Sequence, residues 1–199
     1  IVNTTTSAGG ADEEADDDYR ERIHEAPERF STAGPTGAYE YWAKTANSGI
    51  IDVAISSPSA GTVEIRPLLE GGKLPEQELL DTVKSIVSAD KVRPLTDNVT
   101  VLAPEAVAYD INLTYYVDAG TSEATVKAAV TSAIDTYRLW QKSKIGRDIN
   151  PSRLIADIMA VPGVKRVNVT SPTFKELTAT QVAQENSTIS AVLGGSEDE

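Results

Sequence analysis

Six carboxylates crowd the start of the chain: Asp12, Glu13, Glu14, Asp16, Asp17 and Asp18. Hard cations such as calcium want several carboxylate oxygens, but an EF-hand loop needs alternating ligands and a central glycine, which this run lacks. The spacing favours a solvated helix start, whose acids suit the positive end of the helix dipole. His24 is the only histidine. No Gly-x-Ser-x-Gly turn presents a nucleophile to it, so it reads as a surface residue rather than a general base. Gly71-Gly72-Lys73 falls between a strand and a helix, where phosphate loops lie, yet the Gly-x-x-x-x-Gly-Lys-Ser/Thr spacing is missing and a plain turn explains the pair. Asp110 and Asp118 are the acids a glycosidase reading would pair, but with 30 acids in the chain such pairs arise by chance. The absence of cysteine removes disulfides, thiol nucleophiles and thiolate metal sites. No cofactor, no metal and no catalytic residue is expected.

Aromatic side chains with polar tips are the other candidates. Tyr39, Tyr41 and Trp42 lie near Pro35 and Gly37, and Tyr115, Tyr116, Tyr137 and Trp140 come later. Such side chains fill cores and interface centres alike. Trp42 and Tyr116 fall off the main apolar stripes, which makes them the interface candidates.

The elements that carry these residues follow from periodicity. An acidic start at 10–18 leads into a helix through Tyr19 and Ile23 that Pro27 ends; after a loop at Ser31 to Gly37, a second short helix carries Tyr39, Tyr41 and Trp42. Ile51, Val53 and Ile55 alternate with polar or small residues, and the alternation resumes at Val63 and Ile65 beyond Gly61, which predicts a β-hairpin. Pro75 is placed to open a helix with Leu79, Leu80, Val83, Ile86 and Val87 on one face. Asn98 to Leu102 reads as a returning strand. Tyr109, Ile111, Leu113, Tyr115 and Val117 form the clearest period-two stripe. A helix near 122–143 places Val126, Val130, Ala133, Tyr137 and Trp140 along one seam. Asn150-Pro151 is a cap followed by a first-turn proline, with Leu154, Ile155, Ile158 and Met159 on one side and Pro162-Gly163 as the stop. Val167 and Val169 alternate as a strand, and Gln181 to Leu193 is one more.

Together these elements predict an α+β chain of two consecutive small sandwiches with mixed or antiparallel sheets. The expected division is a helical linker region over 1–49, a first domain over 50–104, a second over 105–195 and an acidic tail over 196–199. The 199 residues suffice for a real core, and 40% hydrophobic with 24% charged residues is ordinary globular usage. No stretch approaches the roughly 18 apolar residues of a membrane span, and the start lacks the basic region of a signal peptide. The chain begins Ile1 without a methionine and reads as a fragment or a processed product. A net charge of -12 repels nucleic acid, and no basic run with interleaved aromatics offsets it.

The order of short motifs adds a further signal. Gly9-Gly-Ala-Asp-Glu-Glu, Tyr19-Arg-Glu-Arg-Ile, Ala26-Pro, Phe30-Ser-Thr-Ala-Gly-Pro and Ala38-Tyr-Glu-Tyr-Trp-Ala come first. Asp52-Val, Ser57-Pro, Gly61-Thr-Val, Val92-Arg-Pro-Leu-Thr-Asp, Gly146-Arg-Asp-Ile-Asn-Pro-Ser and Gly163-Val-Lys-Arg-Val follow. In this order and spacing, from about residue 9 to 172, the chain resembles the baseplate J family, and looks like its central and C-terminal portion. Members are usually longer, with an additional N-terminal region.

The resemblance implies a non-enzymatic structural subunit of the baseplate wedge of a contractile phage tail, a phage-tail-like bacteriocin or a related injection particle, assembled in the bacterial host cytoplasm. Its implied partners are other wedge proteins, copies of itself in a ring, and tail hub or sheath-initiating proteins, without direct nucleic acid or membrane binding. The family carries no catalytic residues. Charged residues inside the matched loops, Arg93, Asp97, Arg147 and Asp148, are candidates for fixing ring contacts or bracing those loops. Two alternatives stay open on the residues alone: a glycan- or metal-binding module at a tail tip, and a hydrolase built on acids. Exposed aromatics with a ligand-dependent thermal shift would mark the first, and loss of turnover on changing one acid the second.

Overall fold

The computed structural model describes residues 16–25, 36–89, 92–94 and 96–198. Asp12, Glu13, Glu14, the expected stop at Pro27 and most of the 31–37 loop lie outside the described residues. Among those described there are five α-helices: α1 (Asp16–Glu25), α2 (Thr36–Thr45), α3 (Gln77–Val87), α4 (Glu123–Lys142) and α5 (Pro151–Met159). Six strands accompany them: β1 (Ile50–Ser56), β2 (Thr62–Leu69), β3 (Asn98–Val101), β4 (Glu105–Asp118), β5 (Val164–Ser171) and β6 (Gln181–Glu197).

The strands form two three-stranded mixed sheets, the first ordered β1-β2-β3 and the second β5-β4-β6. The fold class is therefore the α+β expected. In the first sheet β1 and β2 make the antiparallel hairpin, and β2 runs parallel to β3. Parallel neighbours need a crossover, and α3 supplies it. Tyr39 and Ala43 of α2 and Leu80, Val83 and Val87 of α3 pack on Ile50, Val53, Ile65, Val99 and Val101 of the sheet. Two local expectations fail here. The β1–β2 register shifts between Ile50 and Asp52, so Ile50 joins Val53 inside while Ile51 is 39% exposed. And α3 starts at Gln77 with Glu76 as its cap; Pro75 is itself buried two residues upstream.

The second sheet is built on β4, whose Tyr109, Ile111, Leu113, Tyr115 and Val117 are all buried, as the period-two stripe requires. β5 is antiparallel to β4 and β6 parallel to it. The α4 seam consists of Val126, Val130, Ile134, Tyr137 and Gln141. Ile134 and Gln141, not Ala133 and Trp140, are therefore its innermost residues. Its steps are four, four, three and four, all within the i+3 and i+4 spacing of one helix face, and Ala133 and Trp140 pack at the margin. Asn150 caps α5, its side-chain oxygen accepting from the Ser152 amide at 3.0 Å with Pro151 in the first turn. Only Leu154 and Ile158 of that helix are buried, while Ile155 and Met159 are 38% and 42% exposed. β6 continues through Glu197, so half of the expected acidic tail belongs to the sheet.

Candidate functional site

The predicted loop residues sit in two braces. In the first, the Tyr39 hydroxyl donates to Asp97 Oδ2 at 2.8 Å, and Arg93 Nη1 donates to the Asp97 carbonyl at 2.6 Å. Asp97 thus ties the loop before β3 to α2. Burial first, then the Asp97 carboxylate, pushes the Tyr39 phenol well above its ordinary range, so it stays a donor. Trp42, one helical turn from Tyr39, packs partly on the first core, its ring edge-on to Tyr41 at 5.4 Å.

The second brace follows α4. Arg147 Nη1 donates to the Trp140 carbonyl and to Ser143 Oγ, and its guanidinium lies 4.3 Å from the centre of the Trp140 ring. Burial pulls the Arg147 pKa down from its usual value. Asp148 Oδ1 accepts from the Leu177 amide at 2.9 Å. Gln141, fully buried, donates to the carbonyls of Arg147 and Asp148 at 3.2 and 3.0 Å. Gln141 was missed in the sequence; its place four residues after Tyr137 was the signal available.

Tyr116 belongs to neither brace. It lies on the outer face of the second sheet, with Arg166 stacked 3.4 Å from its ring centre and the backbone of Gly194 beneath it, where a Cβ would come within 2.5 Å of the ring. Arg166 in turn binds Glu197 through Nε at 2.8 Å and Nη2 at 2.5 Å. The six predicted residues are therefore spread over three places and form no common pocket.

Between the sheets lies a junction that no local pattern announced. Leu68, Ile145 and Val182 form a small buried core there, and Asp52 Oδ2 accepts from the Ile145 amide at 2.8 Å. Gln184 Nε2 donates to the Gly72 carbonyl at 2.6 Å. Gly72 has φ +72, and a Cβ on it would stand 2.6 Å from Lys142 Cγ and 2.8 Å from the Lys142 carbonyl. The Gly71-Gly72 turn is thus a packing device rather than a phosphate cradle. Glu185 Oε1 receives Lys142 at 2.8 Å and Arg138 at 2.9 Å, with only 7% of its side chain exposed. Burial alone would raise the Glu185 carboxyl, but Lys142, the backbone and Arg138 outweigh it and hold it below the usual range. A groove of about 460 Å³ beside the junction is lined by Asp52, Lys144, Ile145 and Leu177 among others.

The catalytic candidates do not converge. Asp110 and Asp118 are on one strand eight residues apart, about 26 Å at ~3.3 Å per residue, far beyond the separation of a glycosidase pair. Asp110 Oδ1 instead accepts from Asn186 at 2.6 Å. His24 is exposed on α1. Among the described residues no group of three or more metal-ligating side chains gathers, and no helix is long and apolar enough to cross a membrane.

Fold and site together define a two-sheet α+β protein whose polar groups are used to hold its own loops and junction. Residues 31–103 match the Baseplate J-like central domain, and residues 109–190 match the Baseplate J-like protein C-terminal domain. The chain belongs to the baseplate J-like family, as its motif order implied. Baseplate protein J of Escherichia phage P2 is 33% identical over 186 residues, which is 93% of this chain and 61% of that protein. A chain in the cryo-EM structure of the anti-feeding prophage (AFP) baseplate, 6-fold symmetrised, has the same fold, with TM-score 0.57 at 16% identity, over 84% of this chain and 41% of that one. The chain spans less than two thirds of the length of either.

Proposed function

We propose that this chain is the central and C-terminal part of a non-enzymatic structural subunit in the baseplate wedge of a contractile phage tail or phage-tail-like injection particle. The observation that carries this reading is the succession of the two baseplate J-like domains, in order, over 31–103 and 109–190. We divide the chain accordingly into a first domain over 50–104, to which α2 contributes, and a second over 105–195. Its partners are other baseplate proteins, the tail hub or sheath-initiating proteins, and neighbouring copies of itself in a ring. A ring needs two different patches per copy, since head-to-tail contacts close only when the rotation allows.

In this reading Arg93, Asp97, Arg147 and Asp148 act by bracing loops that present those patches, through the bonds from Tyr39 and to the Leu177 amide. Trp42 and Tyr116 are the aromatic contributors to contacts, Tyr116 being held ready by Arg166. Light scattering on the purified chain, alone and with the other baseplate proteins of the same particle, tests the assignment. A defined mixed complex is the expected result; a chain that ignores every baseplate protein at low and high salt overturns it. Arg147→Glu should fold yet enter the complex poorly, and unchanged assembly would remove the bracing role.

A further inference from the structure

Among the described residues, α1 contributes nothing to either core. Of its side chains that the structure describes none is buried, and Ile23 is 53% exposed. The six carboxylates of Asp12, Glu13, Glu14, Asp16, Asp17 and Asp18 lead into it. α1 adjoins α2, which packs on the face of the first sheet that holds Val53 and Ile65. The segment thus joins dense negative charge to an apolar residue left in solvent.

The groove beside the junction offers the opposite pair of properties. It opens by the other face of the first sheet, where Asp52 and Ala54 meet Lys144, Ile145, Leu177 and Ala179. Leu177 is half-buried and Ala179 exposed, so an apolar lining faces solvent there. Positive charge collects around it: from Arg138 to Arg153 there are five basic residues and one acid, in a chain with 30 acids and 18 basic residues. Lys144 and Lys175 are exposed and make no ion pair among the described residues. Of the acids nearby, Asp52 and Asp148 are engaged by the Ile145 and Leu177 amides, which leaves Glu176 against Lys144, Arg147 and Lys175.

We propose that this groove receives α1 of a second copy of the chain, with Ile23 set against Leu177 and Ala179 and the acidic run lying on Lys144 and Lys175. Charge complementarity selects the occupant. The groove is a basic, apolar place in a chain of net charge -12, and the α1 segment carries the matching carboxylates with an exposed apolar residue. The dimensions agree: Asp16 to Ile23 spans about 10 Å of helix, and Lys175 to Ala179 reaches at most about 14 Å when extended. α1 and the groove are different surfaces of each copy, so the contact is head-to-tail and rests on the ring proposed for the baseplate.

Because the chain has no cysteine, a mixture of Ile23→Cys and Ala179→Cys chains reports the contact without background. Mild oxidation should yield a species of twice the 21.2 kDa chain mass that joins one chain of each kind. Thr131→Cys, on the exposed side of α4, should not join Ala179→Cys in this way. Adding Lys144→Glu and Lys175→Glu to the Ala179→Cys chain should lower the mixed yield about tenfold, and adding Asp16→Lys and Asp17→Lys to its Ile23→Cys partner should restore it. Equal melting temperatures would show that these variants fold. A mixed yield no higher than the Thr131→Cys control overturns the proposal. So does a yield that Lys144→Glu with Lys175→Glu leaves unaltered, or that Asp16→Lys with Asp17→Lys fails to restore. Each of these results leaves the wedge assignment standing where the parent chain still enters a complex with the other baseplate proteins.

Discussion

The two sheets follow one plan with different materials. In each, a central strand pairs antiparallel with one neighbour and parallel with the other, β2 in the first sheet and β4 in the second. The parallel partner of β2 has four residues, and that of β4 has 17. A short strand forms few ladder bonds, so the loop leading into β3 is held from outside by Tyr39 and from within by Arg93. The long β6 anchors itself, and the buried Gln141 is used instead to hold the turn between α4 and α5. Polar bracing stands where the ladder is too short or a helix must stop, which is where backbone groups would otherwise be unpaired.

Four substitutions break or sharpen this comparison. The two tryptophans fall one to each half, Trp42 beside the first core and Trp140 beside the second. Variants retaining a single tryptophan therefore report each half by fluorescence. The largest effect is expected from Tyr137→Ala, since Tyr137 is fully buried and packs edge-on against Tyr109 at 6.4 Å. Urea unfolding should show a loss of about 3–5 kcal/mol, sensed first at Trp140.

Gly72→Ala comes next. It forces a Cβ against Lys142 in a left-handed backbone and should cost up to about 3 kcal/mol. Its diagnostic consequence is separation: the Trp42 and Trp140 traces should coincide in the parent protein and part in the variant. Coincident traces in Gly72→Ala would mean that the junction does not couple the halves.

Glu185→Gln should cost about 2 kcal/mol at neutral pH, because Lys142 and Arg138 lose the carboxylate they share. Its folded pKa lies below the ordinary value of 4.5, so its contribution is present above that value and is lost as pH falls through the folded one. The stability gap between the parent and Glu185→Gln should accordingly shrink below about pH 4. A gap that stays constant down to acid pH would deny the carboxylate its role.

Tyr39→Phe should have the smallest effect, about 1 kcal/mol, since it removes one hydrogen bond and leaves the ring in its core. Amide exchange in residues 96–98 should rise more than elsewhere. Exchange that rises equally in the turn after α4 would erase the distinction between the two braces.

The legible parts of this protein are those with local causes. The β4 stripe could be read because a strand buried on one face must alternate, and the α5 start because Asn150 and Pro151 satisfy the backbone needs of a first turn. The α3 start and the β1 face were misplaced by one or two residues for the opposite reason. A buried Pro75 and a register shift at Ile50 answer to neighbouring elements, and those lie elsewhere in the sequence. The braces were half legible: Arg93, Asp97, Arg147 and Asp148 stood out as charged residues in matched loops and Tyr39 as an aromatic with a polar tip, but their partners Gln141 and Leu177 did not.

By itself, then, the sequence determined the kinds of element, their order, the α+β class and the family, because periodicity, caps and motif order are properties of contiguous residues. Tertiary structure alone decided that β4 lies between β5 and β6, that Gly72 presses on Lys142, and that Glu185 on β6 finds two cations on α4. Each of these pairs residues tens of positions apart. Their energies come from packing and desolvation at contacts that exist only once the chain has folded.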